Sequence, residues 1–381
     1  MHRAHRFLAT IFCGMLVLAC ASAPAFAADP AASSAKTTFG LKPYEKKQVL
    51  RVGFFAGSPL SIPFYIADKE GFFKELNIEL KYETFTNGPA MMEANSNWDI
   101  GGCGLGGMLA GMIGYNLRVI GISDYEKNLA LFVRPDSPLA KDAKNPDNWK
   151  GTTWLYPLGT TAQATLVAAL KNVGLGLSDV KSVNMDVASA LTGFTGKQGD
   201  GLGVWNAIAF TADDKGVVRF ADARSLDVMA PCATLATAQS LKEKKELLTT
   251  AYVVFHLTCQ WIKANDANLK KAAHYFQENC EEEGIACTPT IAQRVMERFA
   301  GQPLKQAIDT MTVATTDASG VYTGIPLTQA QREIFSGMDF FISQNKYSAQ
   351  DKEKIIKEHL IDPAIAEAAK QVMQAQGLAA Q

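Results

Sequence analysis

Three glycines, Gly102, Gly104 and Gly107, fall in the spacing G-x-G-x-x-G, and Asp124 lies twenty residues beyond Gly104. Formally this is a dinucleotide fingerprint. Its setting argues against that use: Trp98-Asp99-Ile100 leaves room for only a very short preceding strand, and the motif lies deep in the chain rather than at a first strand–helix turn. No P-loop lysine follows. Bare glycine amides can still approach a ligand closely. A second candidate is Gly159-Thr160-Thr161, which opens an Ala/Leu-rich helix. Free amides, the helix dipole and two hydroxyls there make an anion site without any arginine; ordinary capping by Thr160 explains that threonine equally well. Asp124-Tyr125-Glu126 follows a strand end, where a carboxylate could hold a ligand ammonium or simply face solvent. Phe55, Tyr125, Trp154 and Trp205 are available as apolar or cation–π walls, or as core.

Catalytic signals are thin. His256 sits in an apolar helical stripe with Val253, Val254 and Leu257, His274 in an Ala/Tyr/Phe stripe, and His359 near the end of a charged helix. There is no H-E-x-x-H and no G-x-S-x-G, and the S-x-x-K spacings at Ser178/Lys181 and Ser343/Lys346 lack the motifs that would accompany them in an acyl-transfer enzyme. Cys103 reads as a small buried hydrophobe rather than a nucleophile. We therefore expect no catalytic residue, no metal and no cofactor. The chain has 381 residues, with 37 Lys+Arg against 38 Asp+Glu and a formal net charge of -1, which gives no basic footprint for nucleic acid. With 48% hydrophobic and 20% charged residues and a mean hydropathy of -0.01, it is neither collagenous nor disordered nor a polytopic membrane protein.

Residues 1–27 read as a secretory signal: Arg3 and Arg6, an apolar run from Phe7 to Leu18, and Ala25-Phe26-Ala27 as a small-x-small cleavage site. Val17-Leu18-Ala19-Cys20 is the competing lipobox-like reading, with Cys20 as lipid anchor. Residues 28–47 are Ala/Ser/Lys/Pro-rich and are expected to form a flexible arm. Export leads to an oxidising compartment, so cysteines can pair. Cys280 and Cys287 bracket the polar turn Glu281-Glu282-Glu283-Gly284 and are the expected disulfide, while Cys103 and Cys232 stay single.

The elements that must position these groups follow a strand–helix rhythm. Val49–Phe55 is a short apolar run, Ile62–Glu70 has helical spacing, and Ile78–Glu83 alternates strictly. A helix at Ala90–Ala94, the short strand Trp98–Ile100, a Gly-rich loop entering a buried small-residue helix, and the strand Leu117–Ile122 follow. Ala130–Arg134, Thr152–Tyr156, the helix Ala162–Val173, Val180–Met185, the helix Asp186–Phe194 and Asp200–Trp205 repeat the grammar, and Asp200-Gly201 echoes Asp99-Ile100-Gly101. Alternating units predict an α/β fold with mostly parallel sheets in two halves on one plan. From Ser240 the pattern turns helical, a mass expected on the outside of one half.

These residues carry a resemblance. Leu50–Gly53, then Pro63-Phe64-Tyr65-Ile66-Ala67 with Lys69-Glu70-Gly71-Phe72-Phe73, resemble the opening of periplasmic solute-binding proteins of the nitrate/sulfonate/taurine type, a superfamily that also includes binders of a thiamine pyrimidine precursor. Trp98-Asp99-Ile100-Gly101-Gly102, Asn148-Trp149-Lys150-Gly151 with Gly159-Thr160-Thr161, and Asp200-Gly201 with Val204-Trp205 resemble its later turns, over roughly residues 48–360. Lys150-Gly151-Thr152 and the glycine-rich Cys103–Gly107 depart from its pattern. The resemblance implies a two-lobe class II clamshell. Lobe one would be 48–130 with 230–381, including a helical C-terminal extension, and lobe two 131–229; the crossings would lie near Leu129–Leu131 and Asp227–Ala230. A hinge would close over the solute. It also implies an extracytoplasmic location, a small-molecule ligand, a membrane permease of an ABC importer as partner, and a monomer. The expected ligand contacts are Phe55, Ser58, Ser61, Cys103, Gly104, Leu105, Asp124, Thr160, Thr161, Gln163, Trp205 and Asn206. A helix-terminus anion site opposite an acidic group suits a small zwitterion such as taurine; without the acidic contact a plain organic anion fits better. A nitrogenous solute, or an enzyme or sensor on the same scaffold, is the alternative.

Overall fold

A computed structural model describes residues 37–378, apart from 56, 127, 229 and 315–320. The signal segment 1–27, Cys20 and the arm up to residue 36 lie outside the described residues. Ten strands build two five-stranded sheets. The first sheet has the order β2-β1-β3-β10-β4, from β1 (Gln48–Phe55), β2 (Ile78–Phe85), β3 (Ile100–Cys103), β4 (Arg118–Tyr125) and β10 (Pro231–Ala236). The second has the order β7-β6-β8-β5-β9, from β5 (Ala130–Val133), β6 (Thr153–Tyr156), β7 (Lys181–Asn184), β8 (Gly201–Val204) and β9 (Val218–Asp222).

The parallel expectation needs one amendment. In each sheet the strand next to one edge runs against the other four: β10 is antiparallel to β3 and β4, and β5 to β8 and β9. The cause is the path of the chain. β5 is the first strand after the crossing at 126–129, and β10 the first after the return at 223–230, so each enters its sheet from the opposite end. Neither β9 nor β10 stood out in the sequence. Val218–Asp222 is half-buried and polar, and Pro231–Ala236 is fully buried but begins with proline and carries small residues.

The repeated Asp motif does the same work twice. Asp99 precedes β3 and accepts from the Arg51 amide of β1 at 2.9 Å; Asp200 precedes β8 and accepts from the Thr153 amide of β6 at 2.8 Å. Each carboxylate pins its short strand to a parallel neighbour, β3 to β1 and β8 to β6. Asp99 is 1% exposed and also takes bonds from Arg51 Nη2 (2.8 Å), Ser240 Oγ (2.9 Å) and Lys244 Nζ (2.7 Å). Burial alone would raise its pKa, but these donors outweigh burial and hold it at about 2.

The helical C-terminal region packs mainly over the first sheet. Helix Lys245–Lys263 buries twelve residues, among them Leu248, Tyr252, Val253 and Phe255, against helix Ile62–Lys69 and the terminal helix Ala364–Ala375. Residues 37–47 of the expected arm lie on this body, with Leu41 4% exposed and Tyr44 Oη 2.9 Å from Thr250 Oγ1. The expected disulfide is not formed: Cys280 and Cys287 are both free thiols, and Cys280 lies within hydrogen-bonding reach of Cys287. The Ile285 amide donates to the Cys280 carbonyl at 2.7 Å, which folds the largely exposed turn back and brings the two thiols near each other. No described helix is long and apolar enough to cross a membrane; the uncharged stretch 100–117 is β3 followed by helix Leu105–Tyr115.

Candidate functional site

A cavity lies between the two sheets, lined by Phe55, Gly88, Pro89, Cys103, Gly104, Gly106, Gly107, Glu126, Thr160, Thr161 and Trp205. Local sequence explains why these residues meet. Four helices begin at this lining: Gly88–Glu93, Leu105–Tyr115, Thr161–Lys171 and Asn206–Asp214. Each follows a strand of its sheet, so the amide ends of the helices face the same space. Gly104 and Trp205 stand at N-cap positions with no side chain capping the helix, and Thr160 spends its hydroxyl on the Pro157 carbonyl at 2.7 Å. First-turn amides therefore remain for a ligand, each helix end carrying about half a positive charge.

The indole of Trp205 adds a donor. The residue is 4% exposed and its Nε1 has no hydrogen-bond partner. A buried N–H without an acceptor costs about 1–3 kcal/mol, so an acceptor brought to this group would relieve that cost. Phe55 meets the Trp205 ring edge-to-face at 6.4 Å and forms the apolar wall.

Glu126 supplies the charge. The Thr161 hydroxyl donates to its carboxylate, and Oε2 lies beside Gly104. Burial raises its pKa to about 7, with the neighbouring Asp124 adding to the rise and Thr161 opposing it. Among the described residues, no lysine, arginine or histidine lines the cavity. Cys103, also in the wall, is driven up to about 12 by burial and by Glu126, so it is a thiol rather than a nucleophilic thiolate. His256 is fully buried, bonded to the Gln302 carbonyl at 2.9 Å, and lowered to about 4 by burial; His274 pairs with Glu278. Neither lines the cavity beside Cys103.

Of the twelve expected contacts, the structure brings Phe55, Cys103, Gly104, Thr160, Thr161 and Trp205 to the cavity. The other six stand behind it. Ser61 Oγ donates to the Gly53 carbonyl (2.8 Å) and accepts from the Gly102 amide (2.7 Å), tying the loop after β1 to β3. Ser58 accepts from Leu60, and Gln163 from Gly159. Asn206 packs on Asn128, and Leu105 packs on Gly337. Asp124 accepts from the Ala300 amide at 2.8 Å. The sequence reading set Asp124-Tyr125-Glu126 after a strand end; β4 instead runs through Tyr125, so Asp124 lies inside the strand against the Ala300 amide and Glu126 is the carboxylate just past the strand's end.

The cavity is nearly shut. Only about 20 Å³ of it can take the centre of a water molecule, room for one or two waters, so any larger guest needs side chains of the wall to swing back. A Cβ on Gly106 would lie 2.2 Å from the Gly159 carbonyl oxygen and 2.9 Å from Thr160 Cα, so here the backbone of one half rests on that of the other.

The NMT1/THI5-like family matches this chain over residues 58–267. A Brucella abortus (strain 2308) protein designated a binding protein by name only is 24% identical over 261 residues, 63% of this chain and 79% of that one. Among solved structures, the periplasmic aliphatic sulphonate binding protein SsuA of Escherichia coli superposes with a TM-score of 0.59 at 17% identity, covering 80% of this chain and 91% of that one. The alkanesulfonate-binding protein SsuA of Xanthomonas axonopodis pv. citri, bound to MOPS, gives 0.61 at 16% identity, covering 80% and 95%. The desulfurization enzyme DSZB shares the fold with a TM-score of 0.54 at 14% identity, covering 85% and 99%. At these identities the structural likenesses establish a two-lobe periplasmic-binding-protein architecture.

Proposed function

The chain belongs to the NMT1/THI5-like family, and on that premise we propose that it is the extracytoplasmic solute-binding component of an ABC importer, closing over a small zwitterion of the taurine type and delivering it to a membrane permease. The observation that carries this reading is Glu126: one carboxylate among converging helix N-termini, with no cation among the described residues of the wall. A ligand ammonium pairs with Glu126, while an acidic oxygen takes the first-turn amides and the orphan Trp205 N–H. A plain anion meets the helix ends but is opposed by Glu126. A periplasmic location agrees with the segment 1–27 and with that of the periplasmic E. coli neighbour. The enzyme alternative is weakened by the protonated Cys103 thiol and by the absence of a histidine in the cavity wall. A flat nitrogenous solute is the second reading, favoured by the Phe55–Trp205 wall.

The test is thermal unfolding and calorimetry with taurine, its hydroxyl counterpart isethionate, nitrate and pyrimidines. Taurine at about 100 times its dissociation constant raises stability by about 2.7 kcal/mol, and isethionate by much less. Isethionate binding as well as taurine removes the role of Glu126. If only a pyrimidine binds, the second reading stands.

Two side-chain predictions follow from the geometry. The raised pKa of Glu126 means that the closed chain holds this proton more tightly than the unfolded chain, where the ordinary value is 4.5. Its contribution to stability is present below pH 4.5 and is lost as pH rises through about 7. An ammonium replaces that proton, so taurine affinity rises with pH across the same window, and Glu126→Gln flattens both profiles. A parallel pH slope in Glu126→Gln would assign the effect to another group. Trp205→Phe keeps an aromatic wall and deletes the N–H; it weakens binding about tenfold, and equal affinity would show that Nε1 meets no ligand.

A further inference from the structure

Helix Pro289–Arg298 packs on helix Asp266–Glu282, which in turn packs on helices Ile62–Lys69 and Lys245–Lys263 of the first-sheet half. Its other face reaches helix Asn206–Asp214, which follows β8 of the second sheet and begins beside Trp205. Arg294 makes the junction. Its Nη1 lies 3.1 Å from Asp214 Oδ1, its Nη2 3.3 Å from Asp213 Oδ2, and its guanidinium 4.2 Å from the Phe210 ring centre. Arg219 holds Asp213 in place through two bonds at 2.8 and 3.0 Å. One turn on, Arg298 covers the same ring at 5.0 Å and donates to Asn128 Oδ1 at 3.4 Å. Asn128 lies in the first crossing, and its carbonyl accepts from the Asn206 amide at 3.2 Å. Two arginines from the helical C-terminal region thus grip the helix whose first residues carry the cavity wall.

This contact differs from ordinary core. The Arg294, Asp213 and Asp214 side chains are 33%, 23% and 52% exposed, so water and salt reach the pairs. A planar guanidinium that stacks on an aromatic face and forks onto two carboxylates fixes one orientation, which an ammonium cannot do. When two halves separate about crossings at 126–129 and 223–230, helix Asn206–Asp214 moves with the second sheet while helix Pro289–Arg298 stays with the first. We propose that helix Pro289–Arg298 is an electrostatic clasp on closure, with Arg294 as a positioning residue that holds the Trp205 wall over the cavity and so sets how long a solute is retained. A second tie, Lys171 Nζ to Ser343 Oγ at 2.9 Å, joins the halves elsewhere, so loss of Arg294 loosens closure without freeing it entirely.

The retention part rests on the solute-binding reading; the clasp itself does not, and it is tested without ligand. Small-angle scattering of the ligand-free chain is compared at about 20 mM and about 500 mM NaCl, since the screening length falls from about 20 Å to about 4 Å and weakens these water-exposed pairs. The wild type is compact at low salt and expands at high salt. Arg294→Ala is expanded at both and no longer responds to salt. Arg294→Lys, which keeps the charge but loses the fork, lies between. Circular dichroism reports whether each variant is folded. A folded Arg294→Ala that stays as compact as the wild type overturns the clasp. Should that variant fail to fold, Asp214→Asn and the wild-type salt series decide, and no expansion in either overturns it equally. With taurine as probe, Arg294→Ala releases about tenfold faster with an unchanged association rate; an unchanged release rate overturns the retention role. If no form binds taurine, the solute reading falls, and the scattering result stands by itself.

Discussion

Gly106→Ala abolishes solute capture, weakening it more than about 100-fold, and leaves the folded chain at least as stable as before. The three nearest atoms to the added methyl all belong to the Gly159–Thr160 turn across the cavity, the carbonyl oxygen at 2.2 Å being the closest. Backbone atoms cannot swing aside as a side-chain tip can. The closed form must therefore back off by more than an ångström to reach ordinary contact. An open form never feels the clash. Within its own helix, Leu105–Tyr115, alanine is favoured over glycine by about 1 kcal/mol. A closing penalty near 3 kcal/mol lowers apparent affinity by the stated factor, since each 1.4 kcal/mol is tenfold. Calorimetry with taurine and thermal unfolding check the two halves of the claim, and scattering of the ligand-free variant shows whether it stays open. Full affinity in a stable Gly106→Ala chain would mean that the halves need not meet at this seam.

The largest stability effect belongs to Asp99. Its carboxylate gathers Arg51, Ser240 and Lys244 on one buried point, and its loss leaves two cations facing each other. Both cations are about one-third exposed, so water relieves part of the penalty. Asp99→Ala is expected to destabilise the chain by about 3 kcal/mol in urea unfolding. The pH dependence has the opposite sign to that of Glu126. The folded pKa is depressed to about 2 from an ordinary 3.8, so the contribution is present above pH 3.8 and vanishes as pH falls toward 2. The wild type loses on the order of 2 kcal/mol across that window from this group, and Asp99→Ala loses correspondingly less. A variant with the wild-type acid profile would place the acid sensitivity elsewhere. Asp200, the corresponding residue of the second sheet, is 47% exposed, and its removal has the smaller effect.

How much of this was legible in the sequence depends on range. Strands with apolar or alternating runs, such as Gln48–Phe55 and Ile78–Phe85, announce themselves because burial on one or both faces fixes residue type locally. The Asp99/Asp200 echo was legible as a repeated motif before a short strand, although the amide each carboxylate accepts from lies in β1 or β6, far back in the chain. β10 was not, because small residues and proline carry little propensity, and only its neighbours β3 and β4 make it a strand. At the cavity, Phe55, Thr160, Thr161 and Trp205 were readable as groups next to strand ends. Glu126 needed the exact end of β4, which runs on through Tyr125 and leaves Asp124 inside the strand. Arg294 needed a contact with residues some eighty positions away, and the sequence alone gave it no distinction from other arginines on charged helix faces.

The reversed strand β10 bears on how the polypeptide matures. Residues 48–125 supply four strands of the first sheet, yet the place between β3 and β4 is filled only by 231–236. A chain synthesised or threaded from its N-terminus must produce the whole second sheet before the first is complete. Until then β3 and β4 expose unsatisfied hydrogen-bonding edges, the kind that recruit foreign strands. A fragment ending near residue 229 should therefore misassemble, whereas the second-sheet stretch, continuous from 130 to 222, has every strand it needs to form early.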